Sequence, residues 1–273
     1  MQNLAFNIDA LHRAYEGGVS PVDVVGECFR RIEAVADPGI FLHLMDLAAV
    51  KAEAAALGAF DPVAKPLWGI PFAIKDNIDS AGVPTTAGCP EFTYIAEKDA
   101  FVVAALRAAG ALLIGKTNLD QFAAGLVGIR TPYPFPKNAI DPAIVPGGSS
   151  SGSAVAVSHG IVSFGLGTDT AGSGRVPAAL NNIVGLKPSL GALSNTGVVP
   201  ACRSLDTISI FALCVEDAYR AFQSAAVYDE RDSYARPVPS PDLGGVPSRF
   251  VVGVPDQASL RFFGDDAQAA SFS

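Results

Sequence analysis

The chain has 273 residues, 49% of them hydrophobic and 17% charged, enough to bury a sizeable core and outside the range of disordered chains. Its 27 acidic residues against 19 basic ones give a net charge of -8, which opposes nucleic acid or an anionic membrane surface as a partner and points to a small-molecule ligand.

Two amphipathic helices are expected first. Leu4, Ile8, Leu11 and Tyr15 share one helical face, with Gly17-Gly18 as the stop. Ser20-Pro21 supplies a cap and first turn for a second helix that carries Val25, Cys28, Phe29 and Ile32. The start of the chain has neither a basic leader nor a long apolar run, so a cytoplasmic location with no signal peptide or membrane anchor is expected. The alanine-rich stretch Val50 to Leu57 reads as a third helix, followed by a loop marked by Asp61-Pro62 and Lys65-Pro66.

From Leu67 short apolar runs alternate with glycine, proline and alanine-rich helical stretches, an α/β texture. Leu67 to Ile74 suggests a buried strand ending at Lys75. Asp99 is placed to cap a helix through Leu106 to Gly110; Ala111 to Ile114 reads as a strand and Asn118 to Ala124 as a short helix. Ser150 to His159 is expected helical, Ile161 to Leu166 and Ile208 to Leu213 extended, Glu216 to Ala226 helical, and Phe250 to Val254 a strand after a proline-rich loop from Arg236 to Pro247. Another helix begins near Gly264. Cys28, Cys89, Cys202 and Cys214 form no C-x-x-C pair and meet no histidine cluster, so they are expected to be reduced and mostly buried, with no metal and no cofactor.

Two glycine-flanked serines dominate the chemistry. Ser149 lies in Gly147-Gly148-Ser149-Ser150-Ser151-Gly152-Ser153, which could be a turn, a catalytic segment or a phosphate cradle at a helix N-terminus; no lysine follows Gly152, so the P-loop pattern fails. Ser173 lies in Thr170-Ala171-Gly172-Ser173-Gly174, whose small residues leave backbone N–H groups of Thr170, Ala171, Gly172 and Ser173 free to face a carbonyl, as an oxyanion hole requires. The α/β-hydrolase elbow does not match, and His12, His43 and His159 all precede Ser173, so ordinary surface or core roles are expected for them.

The remaining base is a neutral lysine. A lysine ordinarily titrates near 10.4, so acting as a base near pH 7 demands a burial cost of roughly 4 to 5 kcal/mol. Lys75 follows the apolar run Ile70 to Ile74 and suits that demand, although Lys116 and Lys187 have comparable settings.

Taken together, Gly69-Ile70-Pro71-Phe72-Ala73-Ile74-Lys75-Asp76-Asn77, Gly115-Lys116-Thr117-Asn118, the 147–154 and 167–178 segments and Gly185-Leu186-Lys187-Pro188 resemble the amidase signature family, in order, over about 66 to 213. The resemblance implies an α/β amidase-signature fold: a mixed β-sheet core covered by helices on both faces, with N-terminal helices. It also implies a triad of Ser173 as nucleophile, Ser149 as bridging serine after a cis Gly148-Ser149 peptide, and Lys75 as base.

Ala171 before Gly172-Ser173, with Gly197-Val198-Val199-Pro200-Ala201-Cys202-Arg203-Ser204-Leu205-Asp206, resembles the allophanate hydrolase branch, which acts in urea and s-triazine breakdown. That branch holds its substrate carboxylate through tyrosine and arginine side chains in a part of the family domain beyond residue 273. The expected organisation is therefore one incomplete domain over 1–273, with a helical segment 1–60, a catalytic core 66–213 and a surface loop 228–247. A homodimer acting on a small amide is implied. A general amidase or the glutaminase subunit of an amidotransferase remains a rival, as does a catalytically silent binding or assembly fragment.

Overall fold

The computed structural model describes residues 4–245 and 248–272. It divides into two units, Met1–Pro241 and Asp242–Ser273. In the first, α1 (Ile8–Glu16) is capped by Asn7, whose side chain accepts from Ala10 N–H, and α2 (Pro21–Val35) by Ser20, whose hydroxyl accepts from Val22 N–H. Each cap contributes about 1 kcal/mol. Leu4 precedes α1 instead of joining it; Ile8, Leu11 and Tyr15 are its buried face, and Tyr15 O–H donates to Gly69 C=O at 2.6 Å, tying the helix to the segment before the sheet.

The remaining elements are β1 (Phe41–Leu44), α3 (Leu47–Ala55), β2 (Pro71–Lys75), β3 (Pro84–Thr85), β4 (Tyr94–Ile95), α4 (Phe101–Ala108), β5 (Leu112–Thr117), α5 (Ser151–Ser158), β6 (Phe164–Thr168), α6 (Arg175–Leu180), β7 (Val184–Leu186), β8 (Ile208–Ala212) and α7 (Val215–Ala225). The main sheet runs β1-β5-β2-β6-β8-β7 and is mixed: β2 is parallel to both β5 and β6, while β1, β8 and β7 join antiparallel. Every residue of β2, β5, β6 and β8 is buried. Strand side chains alternate between faces, so complete burial means that both faces of the sheet are covered. Across the β2–β6 pair, Phe72 stacks on Phe164 with ring centroids 5.3 Å apart, an aromatic contact of about 1 kcal/mol beyond area burial.

The chain leaves β2 toward β5 on one side and later returns to β6 on the other. In open α/β sheets, ligands gather outside the carboxyl ends of strands at such a reversal. Lys75 and Thr168 are the last residues of β2 and β6.

Several local expectations are corrected. Asp99 does not cap α4; Ala100 holds the N-cap position, and Asp99 instead accepts from Ala81 N–H. Asn118 to Ala124 contracts to a single 3-10 turn, Gln121–Ala123, because Phe122 and Ala123 take positive φ. Of the cysteines, all free, only Cys28 is buried; Cys202 is exposed, and Cys89 and Cys214 are half-buried. Short β1, β7 and α6 have too few residues to show a period in sequence.

In the second unit, α8 (Asp266–Phe272) forms, but Phe250 to Val254 is not a strand. Its side chains are exposed, and among the described residues no strand pairs with it to satisfy its backbone groups. The 228–247 loop is irregular through its described part; Val246 and Pro247 lie outside the described residues. No helix among the described residues is long and apolar enough to cross a membrane.

Candidate active site

Two backbone hydrogen bonds hold the Ser149 segment. Gly148 N–H donates to Leu126 C=O at 2.9 Å, Asp120 N–H donates to Ser149 C=O at 3.0 Å, and the Gly148-Ser149 peptide is cis. A side chain at Gly148 is impossible, since its Cβ would lie 2.1 Å from Asp120 Oδ2, a carboxylate that accepts the N–H groups of Gly128 and Arg130. Ser150 Oγ then donates to Thr168 C=O at 3.2 Å and accepts Thr168 N–H at 3.3 Å, clipping the start of α5 onto the end of β6. Gly167 makes this approach possible, because a Cβ there would sit 2.6 Å from Ser150 Oγ.

Lys75 is fully buried. Its Nζ lies 2.7 Å from Ser149 Oγ and 2.8 Å from Thr168 Oγ1, and Asn77 Nδ2 also reaches Thr168 Oγ1, at 3.3 Å. Burial, opposed by the more distant carboxylates of Asp120, Asp169 and Asp206, brings the Lys75 ammonium down to about 7. Lys116, equally buried, is different: Asp76 Oδ1 lies 3.0 Å from its Nζ, which also donates to Pro84 C=O. Lys187 is only partly buried and donates to Pro188 C=O. Of the three candidate lysines, therefore, Lys75 alone is in contact with a serine and free of a carboxylate partner.

Ser173 is buried in the loop that follows β6. Asp169 organises that loop: its carboxylate accepts the N–H groups of Gly172, Gly174 and Arg175 and binds the Arg175 guanidinium at 2.9 Å through both Nε and Nη2. Burial pushes the Asp169 carboxyl up, but the Arg175 guanidinium and these three N–H groups outweigh it and hold it below its ordinary value. Thr170 O–H donates to Asp206 Oδ1 at 2.5 Å. One expectation is corrected here. Gly172 N–H is already given to Asp169 Oδ1 at 2.8 Å and cannot also face a substrate, whereas no acceptor among the described residues takes the N–H of Thr170, Ala171 or Ser173.

Ser173 Oγ donates to Gly125 C=O at 3.4 Å, and among the described residues no hydrogen bond joins it to Ser149 Oγ. Ser150 N–H reaches Ser173 C=O at 3.4 Å, so the two serine segments are in contact. The histidines take no part in these bonds. His12 packs its ring on Phe60, His43 lies in β1, and His159 caps α5. Thr168, Asp169, Asp120 and Asp206 lie in the segments that carry the resemblance, yet the sequence assigns them no role of their own, because each acts through a partner distant in the chain or through backbone groups that carry no side-chain signature.

A family profile described as Amidase matches residues 23–272. The chain belongs to the Amidase family. Within it, the chain is 53% identical over 209 residues to a urea amidolyase of Saccharomyces cerevisiae, a match covering 76% of this chain and 11% of that protein. The allophanate hydrolase structure from Kluyveromyces lactis superimposes with a TM-score of 0.79 at 44% identity, covering 86% of this chain and 39% of that one. A glutamyl-tRNA(Gln) amidotransferase subunit of Nitratidesulfovibrio vulgaris is 42% identical over 269 residues, covering 96% of this chain and 54% of that protein. This Amidase chain thus spans between about a tenth and about half of the length of these relatives.

Proposed function

We propose that the chain hydrolyses amide C–N bonds with Ser173 as nucleophile, Ser149 as proton relay and Lys75 as base, and that its substrate is allophanate. The observation that carries this reading is the Lys75 amine, buried without a carboxylate partner, brought to about 7, and 2.7 Å from Ser149 Oγ. Such a lysine is poised to be neutral near pH 7 and to accept a proton.

Ser173 Oγ would turn from Gly125 C=O toward the substrate and form a bond to the carbonyl carbon. Its proton passes to Ser149 Oγ, whose own proton passes to Lys75 Nζ. The N–H groups of Thr170, Ala171 and Ser173 are the available donors for the oxyanion, each worth about 3 kcal/mol in the transition state. Collapse breaks the C–N bond, and the proton on Lys75 returns through Ser149 to the nitrogen, which leaves as ammonia. Water, deprotonated by the same relay, then splits the Ser173 ester and restores the hydroxyl.

The similarity to allophanate hydrolase and urea amidolyase supports the choice of substrate. A second reading, a glutaminase working within an amidotransferase, is favoured by the longer match to the glutamyl-tRNA(Gln) amidotransferase relative. Ammonia release separates the two: allophanate is expected to be consumed and glutamine and simple carboxamides left intact, and the reverse preference would overturn the first reading. A serine-directed phosphonate is expected to label the wild-type chain at Ser173 and to spare Ser173→Ala. A folded wild-type chain that takes no label would instead be a binding module.

A further inference from the structure

Asn77, two residues beyond Lys75, is 1% exposed and lies where three segments meet. Its backbone C=O accepts Val199 N–H at 2.8 Å, Asp79 N–H donates to Gly197 C=O at 2.9 Å, and Ile78 and Val198 form an antiparallel bridge, so 77–79 and 197–199 run side by side. The side-chain Nδ2 lies 3.3 Å from Val199 C=O and 3.3 Å from Thr168 Oγ1, the hydroxyl that also contacts Lys75 Nζ at 2.8 Å.

The Val199 carbonyl decides which way this amide faces. A carbonyl only accepts, so the atom beside it is the NH2 group and not the amide oxygen. An N–H is therefore presented to Thr168 Oγ1 as well. The other end of the amide is left over: Asn77 Oδ1 is buried and accepts from no described residue, which costs about 1 to 3 kcal/mol. An apolar side chain of the same shape would avoid that penalty, so stability gives no reason for an amide here.

The surroundings of Lys75 supply one. Among the described residues its contacts are two neutral hydroxyls, those of Ser149 and Thr168. The carboxylates of Asp120, Asp169 and Asp206 favour its ammonium from farther off; they are themselves occupied by the N–H groups of Gly128 and Arg130, by Arg175 and by Thr170. Asp76, next in the chain, is bound to Lys116 and Thr86. Thr168 Oγ1 has two lone pairs, and an N–H already pointing at one of them leaves a partial positive charge beside a second donor.

We infer that Asn77 is a positioning residue of the lysine base: its amide, fixed by Val199, occupies Thr168 Oγ1 and weakens that hydroxyl's hold on the Lys75 ammonium. The amide dipole thus opposes the three carboxylates. That Lys75 serves as a base rests on the hydrolase reading; the effect of Asn77 on its protonation does not.

The test follows the titration of Lys75 itself, through the Cε resonance of isotope-labelled lysine in the full chain, assigned by its loss in Lys75→Met. Asn77→Leu keeps the shape of the side chain and removes its N–H donors. It is expected to unfold near the wild-type urea midpoint and to raise the Lys75 titration midpoint from about 7 by about half a pH unit, roughly a threefold change in proton affinity. Asn77→Ala, which adds no volume, is expected to move it in the same direction. In the Thr168→Val background Asn77→Leu is expected to move nothing, because the amide acts through the hydroxyl. An unmoved or lowered midpoint in either single variant would overturn the inference, and so would an equal rise in the Thr168→Val background, which would assign the effect to packing. If Lys75 responds as expected in a chain that hydrolyses no amide, the hydrolase reading falls and the role of Asn77 stands.

Discussion

Lys75 Nζ and Ser149 Oγ are 2.7 Å apart inside a fully buried cluster, and the lysine's other contact is a neutral hydroxyl, Thr168 Oγ1. Lys116, one strand away and just as buried, faces Asp76 at 3.0 Å. Burial pushes both lysines down, but at Lys116 the Asp76 carboxylate in contact opposes it and favours the ammonium, whereas the groups in contact with Lys75 are neutral hydroxyls and no carboxylate touches it.

The pH dependence of amide hydrolysis follows. The working form of Lys75 is the neutral amine, so kcat/KM is expected to rise about tenfold per pH unit on the acid side and level off above about 7. Lys75→Ala is expected to lose at least about a thousandfold and to lose that limb. A wild-type profile flat from pH 5 to 9 would exclude Lys75 as the base.

Thr168→Val keeps the size of the side chain and removes the oxygen that accepts from Lys75. The ammonium loses a partner, so the acid limb is expected to move to lower pH, with kcat reduced about tenfold and KM nearly unchanged. A merely structural role for Thr168 would lower stability and leave the limb where it is.

Asp169→Asn tests the scaffold of the Ser173 loop. The Asp169 carboxyl is held below its ordinary value in the folded chain, so its stabilisation is present above the unfolded value near 4 and is lost as pH falls through the lower folded value. At pH 7 the variant is expected to be less stable by about 2 kcal/mol in urea titrations, with the difference shrinking below pH 4. A pH-independent difference would show that the charge on Asp169 is not what holds the loop.

Gly152→Ala addresses the packing of α5 without touching a reacting group. The added Cβ would lie 2.3 Å from Ile40 C=O and 2.6 Å from Asn118 N, both backbone atoms with little freedom to yield. A loss of about 3 kcal/mol or more is expected, read as a fall in the urea midpoint. By contrast, Gly244→Ala meets nothing within 4 Å and serves as the silent control.

Much of the chain was legible in its sequence because the relevant physics is local. The period of Ile8, Leu11 and Tyr15 and the Ser20-Pro21 start of α2 act through neighbours along the chain, and the structure places α1 and α2 accordingly; the apolar run also ends in a strand at Lys75, but that strand begins at Pro71 and not at Leu67, because 67–69 form a turn. The ordered glycine and serine segments likewise carried the family, since close backbone approach needs glycine wherever the fold brings two segments together, as at Gly148 and Gly167.

What the sequence could not rank was Lys75 against Lys116 and Lys187, because the difference is a matter of partners. Only the pairing of β2 with β6 puts Thr168 beside Lys75, and only the β2–β5 register with the β3 turn hands Lys116 to Asp76 and Pro84. The commitment of Gly172 N–H to Asp169 was hidden for the same reason, and so was the failure of Phe250 to Val254 to form a strand. Sequence determined which residues could do chemistry and which segments could be regular. Tertiary structure decided which charges were neutralised, because desolvation and pairing act through space between segments that the chain order keeps far apart.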